Sequence, residues 1–107
     1  MQDLRYYIQG FWDAEGGATT NATTKKKLYV DFTQRNVECL EFIKEKLLLF
    51  EVKAGNIRVS DRKSMSHCIT ITGRQSILNF IQRIGSQHPE KQQRFKLMAE
   101  VLQTYYN

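Results

Sequence analysis

The sequence predicts an α+β fold of order αββαββα, a four-stranded antiparallel sheet backed by helices on one face. Three observations predict it. Helical stretches carry apolar residues at i, i+3, i+4 spacing, whereas the intervening stretches alternate with period two. After an opening helix, the alternating stretches come in pairs, each pair followed by a helix, so two ββα units follow in series. Short connections between paired strands favour antiparallel neighbours, and the single apolar face of such a sheet needs helices to cover it.

Each element has its own justification. Leu4, Tyr7, Ile8, Phe11 and Trp12 form the stripe of a helix over residues 4–14, with Asp3 as its expected N-cap and Gly16-Gly17 as its expected left-handed stop. Residues 18–24 are rich in Thr and small side chains and are expected to be extended, with a turn or strand start at Lys25-Lys26-Lys27. Leu28, Val30 and Phe32 alternate with Tyr29, Asp31 and Thr33, the pattern of a half-buried strand. Asn36 is the expected N-cap of a second helix over 36–49, whose apolar face is Val37, Leu40, Ile43, Leu47 and Phe50. A turn at Gly55-Asn56 leads to a third strand, with Ile57 and Val59 expected inward and Arg58 and Ser60 outward. Residues 61–66 are a polar turn, and 67–72 a fourth strand with Ile69 and Ile71 inward and Cys68, Thr70 and Thr72 outward. Gly73 ends it. Ile77, Leu78, Phe80, Ile81 and Ile84 mark a third helix over 75–84, and Pro89 opens a last one over 89–106 through Phe95, Met98, Val101 and Leu102.

Composition narrows the function. A chain of 107 residues with 41% hydrophobic side chains suits one domain with a modest core. No apolar run approaches the ~18 residues of a membrane span, so no membrane association is expected, and the N-terminus lacks the pattern of a secretory signal. Two cysteines, Cys39 and Cys68, make no disulfide framework, and with His67 and His88 they show no zinc-ligand spacing. These features place the protein in a reducing, intracellular setting, whether cytoplasm, nucleoid or organelle.

The net charge of +5 is segregated. Asp3, Asp13 and Glu15 against Arg5 leave the first helix acidic, and the second helix is acidic too. The strand-rich blocks are basic, through Lys25, Lys26, Lys27 and Arg35 in one and Lys53, Arg58, Arg62, Lys63 and Arg74 in the other. The sheet face opposite the helices is therefore expected to display Asn21, Thr23, Lys25, Lys27, Tyr29, Asp31, Thr33, Arg58, Ser60, Arg62, Cys68 and Thr70. Cations there suit phosphates, and mixed donors and acceptors suit base edges. Arg58 and Arg62 can donate bidentately to guanine and Asn21 can read adenine, whereas Lys25 to Lys27 suit phosphates. A six-residue strand spans ~20 Å, enough to follow several base pairs along a groove.

Asp13 and Glu15 stand at the negative pole of the first helix, where an exposed acid costs roughly 0.3–1 kcal/mol. Binding of a hard divalent cation explains them; a backbone bond to Asp13 with a solvated Glu15 is the alternative. One carboxylate is too little for two-metal phosphodiester chemistry, which holds two ions ~3.5–4 Å apart. A twofold mate would supply the second. Gly10 and Ala14, four residues apart, allow two helices to approach closely, with Tyr7 and Phe11 beside them.

The run Ile8-Gln9-Gly10-Phe11-Trp12-Asp13-Ala14-Glu15-Gly16 resembles the motif of the LAGLIDADG homing endonuclease family. Gly10, Asp13, Ala14 and Gly16 match, Glu15 replaces the final Asp while keeping a carboxylate, and Ile8 and Gln9 depart from the first two letters. Phe32-Thr33-Gln34-Arg35 is similar to the end of the family's second strand, and His88-Pro89-Glu90-Lys91 to the start of its last long helix. The resemblance covers essentially the whole chain. It implies a saddle-shaped sheet in the DNA major groove, with residues 1–107 as one domain and one half of a homodimer, since a single motif is present. It implies an intron-encoded type of enzyme that cuts double-stranded DNA at a long pseudo-palindromic site and leaves 3′ overhangs. Glu15 would bind Mg²⁺ (with Mn²⁺ or Ca²⁺ as substitutes), Gln34 would place water, and Lys91 would sit near the phosphate. Asp13 is assigned to backbone capping. A cation in the first turn of its own helix opposes that helix's dipole, and a phosphate partner would explain Lys91. The competing reading is a non-catalytic binder of the same fold, an intron RNA maturase or a DNA-binding regulator.

Overall fold

The computed structural model describes residues 2–19 and 28–105. The order is α1 (Gln2–Glu15), β1 (Gly16–Thr19), β2 (Tyr29–Gln34), α2 (Val37–Leu47), β3 (Arg58–Asp61), β4 (Ser66–Ile71), α3 (Arg74–Arg83) and α4 (Pro89–Tyr105), with a 3₁₀ turn Leu48–Phe50 closing α2. The four strands form one antiparallel sheet in the order β1-β2-β4-β3.

Alternation decides which face the helices cover. Val30 and Phe32 of β2 pair with Ile71 and Ile69 of β4 and with Ala18 and Gly16 of β1, and the side chains among these are buried. Against them pack Ile8 and Trp12 of α1, Leu40, Ile43 and Leu47 of α2, Ile77 and Phe80 of α3, and Phe95 and Met98 of α4. An aromatic cluster centres this core: Trp12 stacks on Phe95 at 4.7 Å, and Phe80 meets both Trp12 and Phe32 edge-on. Asn36 caps α2 as expected, its side-chain oxygen accepting from the Cys39 N–H at 3.2 Å.

Several expectations are corrected. Asp3 lies inside the first turn of α1, where an acid still suits the positive pole. Gly16 and Gly17 do not adopt the left-handed conformation, and the chain runs straight from α1 into β1. Gly16 is needed for a different reason: a Cβ there would stand 2.1 Å from Cδ1 of Trp12. The left-handed glycine is Gly85, which ends α3 at φ 70° and donates its N–H to Phe80 at 2.9 Å. Val59, expected inward, is half exposed. It sits on an edge strand whose register shifts between Val59 and Asp61, so Ser60 becomes the extra residue and Asp61, not Ser60, takes the position opposite Ser66. Arg62 falls in the turn after β3 and not on the strand. Cys68 shares the outward side with Thr33 and Arg58 but is buried beneath its neighbours.

Candidate nucleic-acid interface and acidic helix end

The outward face of the sheet carries Tyr29, Asp31 and Thr33 from β2, Thr70 from β4 and Arg58 from β3. Arg58 is held in place: its Nη2 donates to Oγ1 of Thr70 at 3.0 Å. Thr70 faces Asp31 across the β2–β4 pair. The outward group therefore spans three strands. Arg35, just past β2, donates from Nε to the Ser64 carbonyl at 2.8 Å and ties the β3–β4 turn, which holds Arg62, to the end of β2. Asn21, Thr23, Lys25 and Lys27 lie outside the described residues.

Asp31 is an acid of this face, and burial pushes its carboxyl above the ordinary carboxylate value. A hydrogen bond from the Gly17 N–H and the charges of Arg58 and Lys91 pull the other way without cancelling that rise. A raised folded-state value means that Asp31 favours the fold when protonated, and this contribution is lost as pH rises through the folded value. Asp31→Asn keeps an acceptor for Gly17 without a charge. It is expected to melt at or above the wild-type temperature at pH 7, with the advantage vanishing as pH falls through the carboxylate range, as checked by circular dichroism.

The acidic end of α1 lies beside this face. Gly16 pairs with Phe32 and the Gly17 N–H bonds the Asp31 carboxylate, so α1 enters the sheet directly beside β2. Glu15 is exposed and makes no hydrogen bond or ion pair among the described residues. Asp13 behaves differently. Its carboxylate accepts from the Ser86 hydroxyl and from the Gln87 N–H, the latter at 2.9 Å, and so anchors the α3–α4 connection to α1. Gln9, the departure from the motif, is buried and completes the anchor. Its Nε2 donates to the Ile84 carbonyl at 2.7 Å and its Oε1 accepts from Gln87 at 3.2 Å. A glutamine on the apolar side of a helix was the sequence signal for this network, whose partners lie more than seventy residues away.

Gln34 lies on the core side of the pleat, opposite His67, and its amide oxygen accepts from the Arg35 N–H at 2.8 Å. Lys91 reaches α1 from the first turn of α4. Its ammonium donates to the carbonyls of Trp12, Asp13 and Gly16 at 3.2, 2.7 and 3.2 Å and stands 4.6 Å from the Trp12 ring centroid. The partner of Lys91 within the chain is thus the C-terminal pole of α1, where a phosphate had been expected.

On the outer side of α1, Tyr7, Gly10 and Ala14 are exposed, and nothing lies within 4 Å of a Cβ built on Gly10. Phe11 is half-buried, since its ring also packs on Phe32 at 5.9 Å. Tyr7 meets Phe42 of α2 edge-on at 5.9 Å, which extends the apolar surface onto a second helix.

The family model for the LAGLIDADG-like domain matches residues 2–85. The chain belongs to this family. Among solved structures, the LAGLIDADG homing endonuclease I-LtrWI bound to target DNA is similar over 95% of this chain and 37% of its own, at 22% identity and a TM-score of 0.69. An I-DmoI variant in complex with its target DNA and magnesium is similar over 81% of this chain and 44% of its own, at 23% identity and a TM-score of 0.63. Full-length DUF199/WhiA from Thermatoga maritima is similar over 94% of this chain and 32% of its own, at 18% identity and a TM-score of 0.69. The chain therefore spans less than half the length of each of these three. A search among curated protein sequences finds no match. The LAGLIDADG fold accounts for the αββαββ order and the four-stranded antiparallel sheet, with the α3–α4 pair behind them. Among the described residues, no helix is long and apolar enough to cross a membrane.

A metal of the kind used by such nucleases needs oxygen donors. Among the described residues no three His, Cys, Asp or Glu side chains gather into a metal-binding group. Glu15 is nonetheless an exposed hard-oxygen donor with no partner among the described residues.

Proposed function

We propose that two copies of this chain pair through α1 and act as a site-specific, Mg²⁺-dependent endonuclease on double-stranded DNA. The observation that carries the reading is Glu15: an exposed carboxylate without a partner among the described residues, held at the unfavourable pole of the motif helix, beside a sheet face on which Arg58 is already oriented. Stability alone would not keep an acid there. Its counterpart in a second copy supplies the missing oxygen donors, and the open surface over Tyr7, Gly10, Phe11 and Ala14 is the contact that brings the two together.

In this reading Glu15 of each copy holds the divalent ion, with Mn²⁺ or Ca²⁺ able to substitute for Mg²⁺. When bound, the ion activates water and offsets phosphate charge. Gln34, at the end of β2, positions solvent. Arg58, Thr70, Tyr29, Thr33, Asp31 and Ser60 read the groove, Asn21, Thr23, Lys25 and Lys27 extend that surface, and Arg35 and Arg62 hold the backbone. Twofold pairing makes the site long and pseudo-palindromic, and cuts across the minor groove leave 3′ overhangs. The similarity to DNA-bound LAGLIDADG endonucleases supports this assignment. Similarity to WhiA, a LAGLIDADG-domain protein whose name carries no endonuclease activity, supports the alternative of a non-catalytic nucleic-acid binder.

Selection of cut products from a random duplex library with Mg²⁺ decides between them. The endonuclease reading expects a near-symmetric consensus and dimers in sedimentation at micromolar concentration. Enrichment of bound but uncut duplex in the same library would establish the alternative.

A further inference from the structure

The sequence of α1 supplies no basic residue in its last turn, although two acids stand there. Lys91 supplies the missing cation from α4. Its three donors meet three carbonyls that surround Glu15 in the chain: Trp12 and Asp13 before it and Gly16 after it. Gly16 is the first residue of β1, an edge strand. One turn further along α4, Arg94 donates to the Ala18 carbonyl at 3.0 Å, so the two cations cover alternate carbonyls on that edge. From the opposite side, Asp31 accepts the Gly17 N–H, and its own carbonyl receives Nε1 of Trp12 at 3.1 Å. The backbone on both sides of Glu15 is gripped, while the Glu15 side chain itself has no partner among the described residues.

We propose that Lys91 is a positioning residue for Glu15. It fixes the helix-to-strand exit from which the carboxylate projects and does not contact the scissile phosphate. Two consequences separate this role from a phosphate contact. An ammonium whose donors are all taken by carbonyls has none left for a nucleic acid. Removing a cation near a metal-binding carboxylate tightens metal binding by electrostatics alone, whereas loosening the exit weakens it. The sign of the change in metal dependence is therefore diagnostic. The inference rests on the reading of Glu15 as a metal ligand, but its first test does not.

That test is amide hydrogen exchange on the metal-free, DNA-free protein. In Lys91→Met, exchange at Glu15, Gly16 and Gly17 is expected to accelerate at least about tenfold while amides of α3 stay unchanged, and Lys91→Arg, which still donates, should restore protection to within about threefold. Arg94→Met is the control, loosening Ala18 more than Gly16. Should Lys91→Met fail to fold, Lys91→Gln carries the same comparison with a single neutral donor group. The second test is single-turnover cleavage of a selected site against Mg²⁺ concentration. A positioning role expects the half-saturating concentration to rise by about tenfold or more, with the rate at saturating Mg²⁺ largely regained. Unchanged exchange at Gly16 and Gly17 would overturn the proposal. So would an unchanged or lowered Mg²⁺ midpoint with a lasting rate deficit, which would put Lys91 at the phosphate. If the wild-type protein cuts no duplex, the endonuclease reading fails, and the exchange arm alone decides whether Lys91 holds the exit.

Discussion

Glu15→Gln is expected to lower Mg²⁺-dependent cleavage by at least about 10³-fold while duplex binding in metal-free buffer changes by no more than about threefold. The substitution keeps the shape of the side chain and removes a charge. No hydrogen bond or ion pair within the described residues is broken, because Glu15 makes none. The fold should even gain slightly, since the acid opposes the dipole of α1 and its neutral analogue does not, a difference of roughly 0.3–1 kcal/mol. Lost activity together with unchanged or higher thermal stability marks a residue kept for chemistry. Cleavage that survives in Glu15→Gln would remove the catalytic assignment, and a fall in melting temperature would show that Glu15 has a structural partner. Both measurements need only the purified chain, a selected duplex and circular dichroism.

Trp12→Ala is expected to have the largest effect on stability. The indole is fully buried, stacks on Phe95 at 4.7 Å, meets Phe80 edge-on at 5.6 Å and donates to the Asp31 carbonyl at 3.1 Å. Its removal opens a cavity that four elements cannot close without moving, at a cost of about 3–5 kcal/mol. That is a large part of the ~5–15 kcal/mol that holds a domain of this size together. It also strips the Asp31 carbonyl of its donor and Lys91 of its aromatic neighbour. The same contact makes Gly16 obligatory, because a Cβ there meets the indole. Gly16→Ala alone should therefore cost about 1–3 kcal/mol by overpacking, and most of that cost should disappear in the Trp12→Ala background. Urea titration followed by circular dichroism measures both. A Trp12→Ala midpoint within error of wild type would mean that the aromatic cluster does not organise the core.

The element order was legible because the signals that specify it are local. Apolar residues at 3.6-residue spacing in 4–12 and 37–50, and at two-residue spacing in 28–33 and 67–72, report which side of an element faces the core whatever lies across from it. Asn36 was legible as a cap for the same reason, its partner being the amide three residues on. Val59 keeps its expected side, opposite His67, but on an edge strand that side stays half open, and the bulge at Ser60 answers to the twist and edge of a sheet that a single strand does not encode. Glu15 could be singled out from the conflict between its charge and the helix dipole, a local argument too. Lys91 carried a similar conflict at the start of α4, for which a phosphate was the expected partner; the chain supplies the C-terminal pole of α1. Sequence could not separate the two, because a helix C-terminus and a phosphate present the same sign of charge.

By itself the sequence determined where the helices and the strands β2, β3 and β4 begin and end to within a few residues, which sheet face is polar, and which acid is misplaced for stability. Each of these follows from interactions within one or two turns of chain. Only the tertiary structure decided that Gln9 and Asp13 bind the α3–α4 connection, that Gly16 yields space to Trp12, and that Lys91 closes the end of α1 from 75 residues away. Such contacts depend on how rigid elements dock around a shared core. The distance between two docked side chains is set by the packing of every element between them, not by the residues near either one.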